Sequence, residues 1–201
     1  APSVAGPKLA FEGYSDTVQA VLDHPAYKTK LGPNQGRGVA SGYWFNGAGE
    51  SSATVFVNTD GTVSVATGSV DVGGSRASMA LMAAETLGID YDDIRATVSD
   101  TTSVQYTHVT GGSRVTYATG IAVVNACKDA VDQLRARAAM IWEVDVDGVV
   151  WEDGHAKPAG SNVGDFDPLS LKDIAAKMGA TGGAIGASST VNAGGQAPGF
   201  A

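Results

Sequence analysis

The chain holds one cysteine, Cys127, among 201 residues. No disulfide can form within it, and no run of cysteines and histidines has zinc or iron–sulfur spacing. Histidine is also scarce: His24, His108 and His155 lie far apart in sequence, and no metal ligands are expected from the chain. Basic residues are few, 13 Lys and Arg against 21 Asp and Glu, for a net charge of -8. That balance, without a basic stripe, argues against a nucleic-acid partner. No apolar run approaches the ~20 residues needed to span a bilayer. Residues 1–8 lack the charged-then-apolar pattern of a signal peptide. These lacks point to the cytoplasm and leave the periplasm open.

What is present suits a folded domain. Hydrophobic residues make up 43% and charged residues 17%, enough for a packed core. The 27 glycines imply many tight turns and surfaces built from backbone.

Residues 1–35 read as a leader with a short helix at Asp16–Asp23, capped by Ser15 or Asp16 and stopped by His24-Pro25. Ser52–Val57 and Thr62–Ala66 flank Thr59-Asp60-Gly61 as a β-hairpin. A helix from about Arg76 to Leu87 follows, with Gly88 as its stop, then a strand at Ile94–Val98. A long helix is expected from about Ser113 to Met140. Glu143–Val146 and Val149–Glu152 suggest a second hairpin around Asp147-Gly148. Leu169–Met178 reads as a short helix capped by Asp167 with Pro168 in its first turn. The Gly/Ala/Ser-rich end, 179–201, reads either as linker or tail or as a segment ordered by a partner. The expected class is α+β, a hairpin–helix–strand–long helix layer over 36–142, with 143–201 as a separate addition and the whole incomplete without partner segments.

One tetrapeptide occurs twice: Gly73-Gly74-Ser75-Arg76 and Gly111-Gly112-Ser113-Arg114. Each precedes a predicted helix. A helix start has unpaired N–H groups and partial positive charge. Paired glycines admit a bulky anion, serine offers a cap or a hydroxyl, and arginine adds a fork of donors for phosphate. The plainer reading is two ordinary Gly/Ser helix starts. Neither loop is a Walker A sequence or a dinucleotide fingerprint.

The stretch Asp60–Val63, Gly68–Arg76 and Ala83–Ile89 resembles the molybdopterin-binding large subunit of the xanthine dehydrogenase/aldehyde oxidase family. So does the series Val98–Thr101, Thr110–Arg114, Gly120 and Ala126. The resemblance covers about 36–140 well and the flanks more loosely. It implies that Val72, Gly73, Gly74, Ser75 and Arg76 meet the cofactor's phosphate-bearing tail. It implies that Thr110, Gly111, Gly112, Ser113 and Arg114 lie beside the molybdenum and its pterin. Many members carry glutamine between the first pair of glycines, and this chain does not. The cofactor implied is molybdopterin, in its cytosine dinucleotide form, with molybdenum held by the pterin's sulfurs. Iron–sulfur (2Fe-2S) and FAD groups are expected on other chains. The implied partners are the rest of the molybdenum subunit, the iron–sulfur and FAD subunits and a small-molecule substrate. The implied reaction is oxidative hydroxylation of an aldehyde or an N-heterocycle, with this chain alone inactive.

The family's base is a glutamate from a terminal segment with no equivalent here. Gly47-Ala48-Gly49-Glu50 looks like that motif but lies upstream of the hairpin, so Glu50 is a weak candidate. His108, beside the second loop, is another weak one. Cys127 belongs to a helical stripe and to the core. Tyr43, Trp44 and Phe45 suit a core or subunit contact better than substrate stacking. The acids around Asp145 and Asp153 lack a calcium-loop pattern. Two other functions compete: a non-catalytic assembly module, and an unrelated phosphate- or nucleotide-binding α+β protein.

Overall fold

In the computed structural model, which describes residues 13–42, 47–97 and 100–193, Glu50–Val57 (β1), buried continuously at Ser51–Ala53 and at Val55 and Val57, pairs with Val63–Thr67 (β2), whose burial alternates, in the expected hairpin. Val55 and Val63 are fully buried, whereas Phe56 points outward and is half exposed. One face of the sheet therefore carries the core. At the turn, Gly61 takes φ 89° and Asp60 accepts the Thr62 amide at 2.9 Å.

The chain before the hairpin forms two short helices, Tyr14–Asp23 (α1) and Pro25–Lys28 (α2). Neither buries a residue. The start of α1 is at Gly13, without a side-chain cap, and not at Ser15 or Asp16.

Ser75–Leu87 (α3) leads from β2 to Ile94–Thr97 (β3), which lies parallel beside β2, as a strand–helix–strand crossover requires. Met79, Ala80, Ala83, Ala84 and Leu87 form the buried stripe of α3. Gly88 ends it in the left-handed region, φ 73°. Val98 lies outside the described residues, as do Ser99, the Tyr43–Phe45 cluster and 194–201.

The long helix is shorter at its start than expected. A π-helical turn occupies Val115–Thr119, and the α-helix proper, α4, runs Gly120–Trp142. Ala122, Val123, Ala126, Cys127, Ala130, Leu134 and Ala138 are fully buried along it. Small residues let α4 approach its neighbours: a Cβ on Gly120 would lie 2.6 Å from Sδ of Met82 on α3. Burial pushes the Cys127 thiol up to about 12, so it stays protonated and serves packing.

Three expectations beyond residue 142 are corrected. The second hairpin pairs Val149–Glu152 (β4) with His155–Pro158 (β5), around Asp153-Gly154 instead of Asp147-Gly148. Asp153 (φ 49°) and Gly154 (φ 73°) both take the left-handed conformation that a two-residue hairpin turn demands. Val146–Gly148 is a single 3-10 turn. The following helix, Leu171–Ala176 (α5), is capped by Ser170, not Asp167. Ser170 Oγ accepts the Asp173 amide, and Asp173 accepts the Ser170 amide at 3.0 Å. Leu169–Ser170 (β6) pairs with β5 and completes a small three-stranded sheet.

The third correction concerns the Gly/Ala/Ser-rich end. Ile185–Asn192 (β7) pairs antiparallel with β1 along its whole length, Glu50 opposite Asn192 and Val57 opposite Ile185. The main sheet has the order β3-β2-β1-β7. The chain's own central strand orders this segment, and residues after 142 return to the core sheet. The mixed helices and strands bear out the α+β class. Among the described residues no helix is long and apolar enough to cross a membrane.

Candidate functional site

The paired tetrapeptides sit at the same end of the sheet. Val72, Gly73, Gly74 and Ser75 from the first and Thr110, Gly111, Ser113 and Arg114 from the second line one cleft of about 430 Å³. That volume lies within the ~300–1,000 Å³ of small-molecule sites. Gly73 and Gly74 have φ of 79° and 108°, a backbone path that glycine takes without strain. A Cβ placed on Gly73, Gly74 or Gly111 would meet nothing within 4 Å. The backbone at these three positions borders open space that any other side chain would begin to fill.

Two of the ten expected residues lie elsewhere. Gly112, in the left-handed region at φ 65°, accepts the Gly47 amide through its carbonyl and shapes the turn. Arg76 lines a neighbouring crevice of about 10 Å³, room for no more than a water. Its Nε lies 3.7 Å from Asp71.

Asp71 also alters the expected anion chemistry. Its Oδ1 accepts the Gly74 amide at 2.9 Å and the Arg76 amide at 3.4 Å, and it takes the Ser75 hydroxyl. Two first-turn amides expected to face a guest anion are thus held by the chain's own carboxylate. Those amides hold its pKa below the usual value of 3.8. A depressed carboxylate stabilises the fold fully above its unfolded pKa, and the effect is lost as pH falls through the lower folded value. Asp71→Asn should therefore unfold at a lower temperature than the native chain, by a constant gap from pH 7 down to about 4. The gap should close as the pH falls further, and thermal scans across pH 2–7 measure it.

Arg114 departs furthest from expectation. It is 2% exposed. Nε donates to the Ala48 carbonyl at 2.6 Å, and Nη1 donates to the His108 carbonyl at 3.0 Å, with the Val109 carbonyl at 3.5 Å. Nη2 donates to the Glu50 carbonyl at 2.5 Å and to Ser51 Oγ at 2.7 Å. The fork expected to grip phosphate is engaged inside the protein. Burial lowers its pKa, while the Glu50 charge raises it; arginine stays cationic under either influence. Its tetrapeptide differs from the first because Ser113 takes a left-handed turn, φ 55°, ahead of the π-helical turn.

Glu50 and His108 do not line the cleft. Glu50 opens β1, and the Asn192 side-chain amide donates to its carboxylate at 3.4 Å. His108 is exposed, and its ring lies beside Gly49. Among the described residues no carboxylate, imidazole or thiol borders the cleft, and no three His, Cys, Asp or Glu side chains gather as for a metal.

Ser78, Val115 and Thr116 complete the lining. The two hydroxyls had a signal that the tetrapeptide alone missed. The repeat extends to Gly-Gly-Ser-Arg-x-Ser/Thr, so Ser75 and Ser78 match Ser113 and Thr116 at a spacing of three. Three residues is nearly one helical turn, which brings both hydroxyls to one face. The wall is thus hydroxyl-rich and built close to the backbone, its one charged member, Arg114, having its donors turned into the protein, and it suits a large polar guest.

The family model of the molybdopterin cofactor-binding domain matches residues 23–198. The chain belongs to this molybdopterin cofactor-binding domain family. The match bears out the cofactor family expected from the chained motifs. No curated protein matches the chain. Among solved structures, Cu,Mo-CO dehydrogenase in its carbon monoxide reduced state superposes with a TM-score of 0.64 at 23% identity, over 71% of this chain and 18% of that one. Reconstituted CO dehydrogenase from Oligotropha carboxidovorans gives 0.63 at 23%, with the same coverage. Quinoline 2-oxidoreductase from Pseudomonas putida 86 gives 0.58 at 20%, over 73% and 19%. At these identities the likeness is one of fold. The cofactor-binding domain seen here spans about a fifth of those chains.

Proposed function

We propose that this chain forms one wall of the molybdopterin site of a molybdenum hydroxylase of the xanthine dehydrogenase/aldehyde oxidase type, acting on an aldehyde or an N-heterocycle. The observation that carries this reading is the shared cleft, into which both glycine loops present open backbone. Gly73, Gly74, Ser75 and Ser78 would hold one side of the cofactor, and Thr110, Gly111, Ser113 and Thr116 the other. The bound group supplies the redox and oxygen-transfer chemistry, as cofactors of this kind do. The chain's part is to bind and orient through backbone and hydroxyls. No group able to take a proton near neutral pH lines the cleft among the described residues, so the base comes from another segment. The same observation favours a second reading, an assembly module whose cleft is filled without turnover. The cytosine dinucleotide form, and iron–sulfur and FAD groups on partner subunits, complete the first reading.

Gly111→Val tests it in the assembled protein. Gly111 has ordinary φ and open surroundings, so valine is tolerated by the fold but intrudes on the cleft. Gly112→Val is a poorer probe, because φ 65° strains a branched residue with or without a ligand. Released pterin, read by fluorescence, and molybdenum, read by mass spectrometry, should fall about tenfold or more, as when a bound group loses over ~1.4 kcal/mol. Gly38→Val, equally open and outside the cleft, should leave both unchanged. Native cofactor content in Gly111→Val would remove the second loop from the site.

A further inference from the structure

Of the six buried polar or charged residues among those described, four form a continuous hydrogen-bonded chain beneath the cleft. Arg114 Nη2 donates to Ser51 Oγ at 2.7 Å, Ser51 Oγ lies 3.1 Å from Thr119 Oγ1, and Thr119 Oγ1 lies 2.7 Å from Ser69 Oγ. Their exposures are 2%, 0%, 0% and 5%. Each residue belongs to a different part of the site. Arg114 ends the second glycine tetrapeptide, and Ser51 lies in β1. Thr119 closes the π-helical turn leading into α4. Ser69 precedes the first loop, just before Val70, whose carbonyl accepts the Ser75 hydroxyl at 3.1 Å.

We propose that this buried relay, Arg114–Ser51–Thr119–Ser69, sets the position of one glycine loop against the other and so fixes the width of the cleft. All four are positioning residues. Their role toward the cofactor rests on the function proposed above. Hydroxyls buried among alanines and valines are unfavourable unless bonded, so the chain holds only when all members are in register. The guanidinium can only donate. Ser51 Oγ therefore accepts from Arg114, and the three hydroxyls share the remaining two bonds, in either of which each partner can donate. A cation at one end of such a chain polarises and strengthens the bonds that follow. Movement of the second loop would draw Arg114 from Ser51 and loosen the first loop through Thr119. π-helical turns occur often at functional sites, and this one places the middle link of the relay.

Thr119→Val keeps the shape and removes both hydrogen bonds of the central link. Hydrogen exchange on the full chain should then quicken about tenfold in residues 70–76 and in residues 108–114 together, the size expected when buried partners lose a bond. Thr119→Ser, which restores the hydroxyl, should return both segments close to native rates. Ser69→Ala should loosen the first loop and, more weakly, the second. Val123→Ala, one turn along α4, removes packing without touching the relay and should lower the unfolding temperature while leaving the loops unchanged. The relay is overturned if Thr119→Val leaves either loop at its native rate, if serine fails to rescue, or if Val123→Ala loosens both loops equally. These readouts need no cofactor. In the assembled protein, loss of pterin on dilution should also quicken in Thr119→Val and recover in Thr119→Ser. Coupled loops with unaltered pterin loss would uphold the relay and count against the cofactor reading instead.

Discussion

Arg114→Lys is expected to lower the unfolding midpoint by about 6–12 °C, from a loss of about 3 kcal/mol in a chain where each kcal/mol is worth ~2–4 °C. Arginine here bonds to the Ala48, Glu50 and His108 carbonyls and the Ser51 hydroxyl, with Val109 as a longer contact. Lysine brings three donors from one nitrogen and cannot reach acceptors spread over such an arc. Buried acceptors would lose their partner, at ~1–3 kcal/mol each before relaxation. The charge would remain, so the change probes geometry, not electrostatics. Differential scanning calorimetry checks it. A midpoint within about 2 °C of native, under 1 kcal/mol on the same scale, would show that the guanidinium is dispensable as a staple.

Gly88→Ala should cost about 3–4 kcal/mol, well above the ~1 kcal/mol that a left-handed glycine loses on gaining a methyl group. The excess comes from the hairpin. A Cβ on Gly88 would fall on the Gly154 amide and lie 2.9 Å from the Asp153 carbonyl carbon. Backbone there cannot swing aside as a flexible side chain can. The displacement would also pull Trp151 from the Leu87 carbonyl, to which its indole donates at 2.9 Å. Urea unfolding followed by tryptophan fluorescence reads both effects. Gly73→Ala is the internal control: its φ of 79° is as unusual, but a Cβ there meets nothing within 4 Å. Its loss should stay near ~1 kcal/mol. Equal losses in the two variants would show that the contact between α3 and the β4–β5 turn adds nothing.

The elements that were legible in the sequence carry their own local reason to form. The β1–β2 hairpin has alternation and a glycine turn, α3 has a stripe and a left-handed stop, and α4 has a long buried face. The second hairpin was misplaced because two Asp-Gly pairs lie six residues apart, and only the partner strand selects the one at 153–154. β7 was missed for a different reason. Ser, Ala and Gly in Ile185–Asn192 have weak strand preference, and the segment is a strand because β1 offers a ladder. At the candidate site, the two copies of the repeat converge on one cleft, since paired glycines leave backbone open there. It could not tell Arg76 from Arg114. One is exposed and the other buried, and that difference depends on residues 48–51, more than sixty positions away.

The pairing of β1 with β7 has a consequence for synthesis. At ~5–20 residues per second, β1 leaves the ribosome on the order of ten seconds before the strand that completes its ladder. During that wait a central, valine-bearing strand has one bare edge, the kind that recruits foreign strands. Ser51, the anchor for Arg114, lies on that strand. The ladder on both sides of β1 is therefore complete only once translation has passed Asn192, and residues 50–57 are the stretch whose edge needs cover until then.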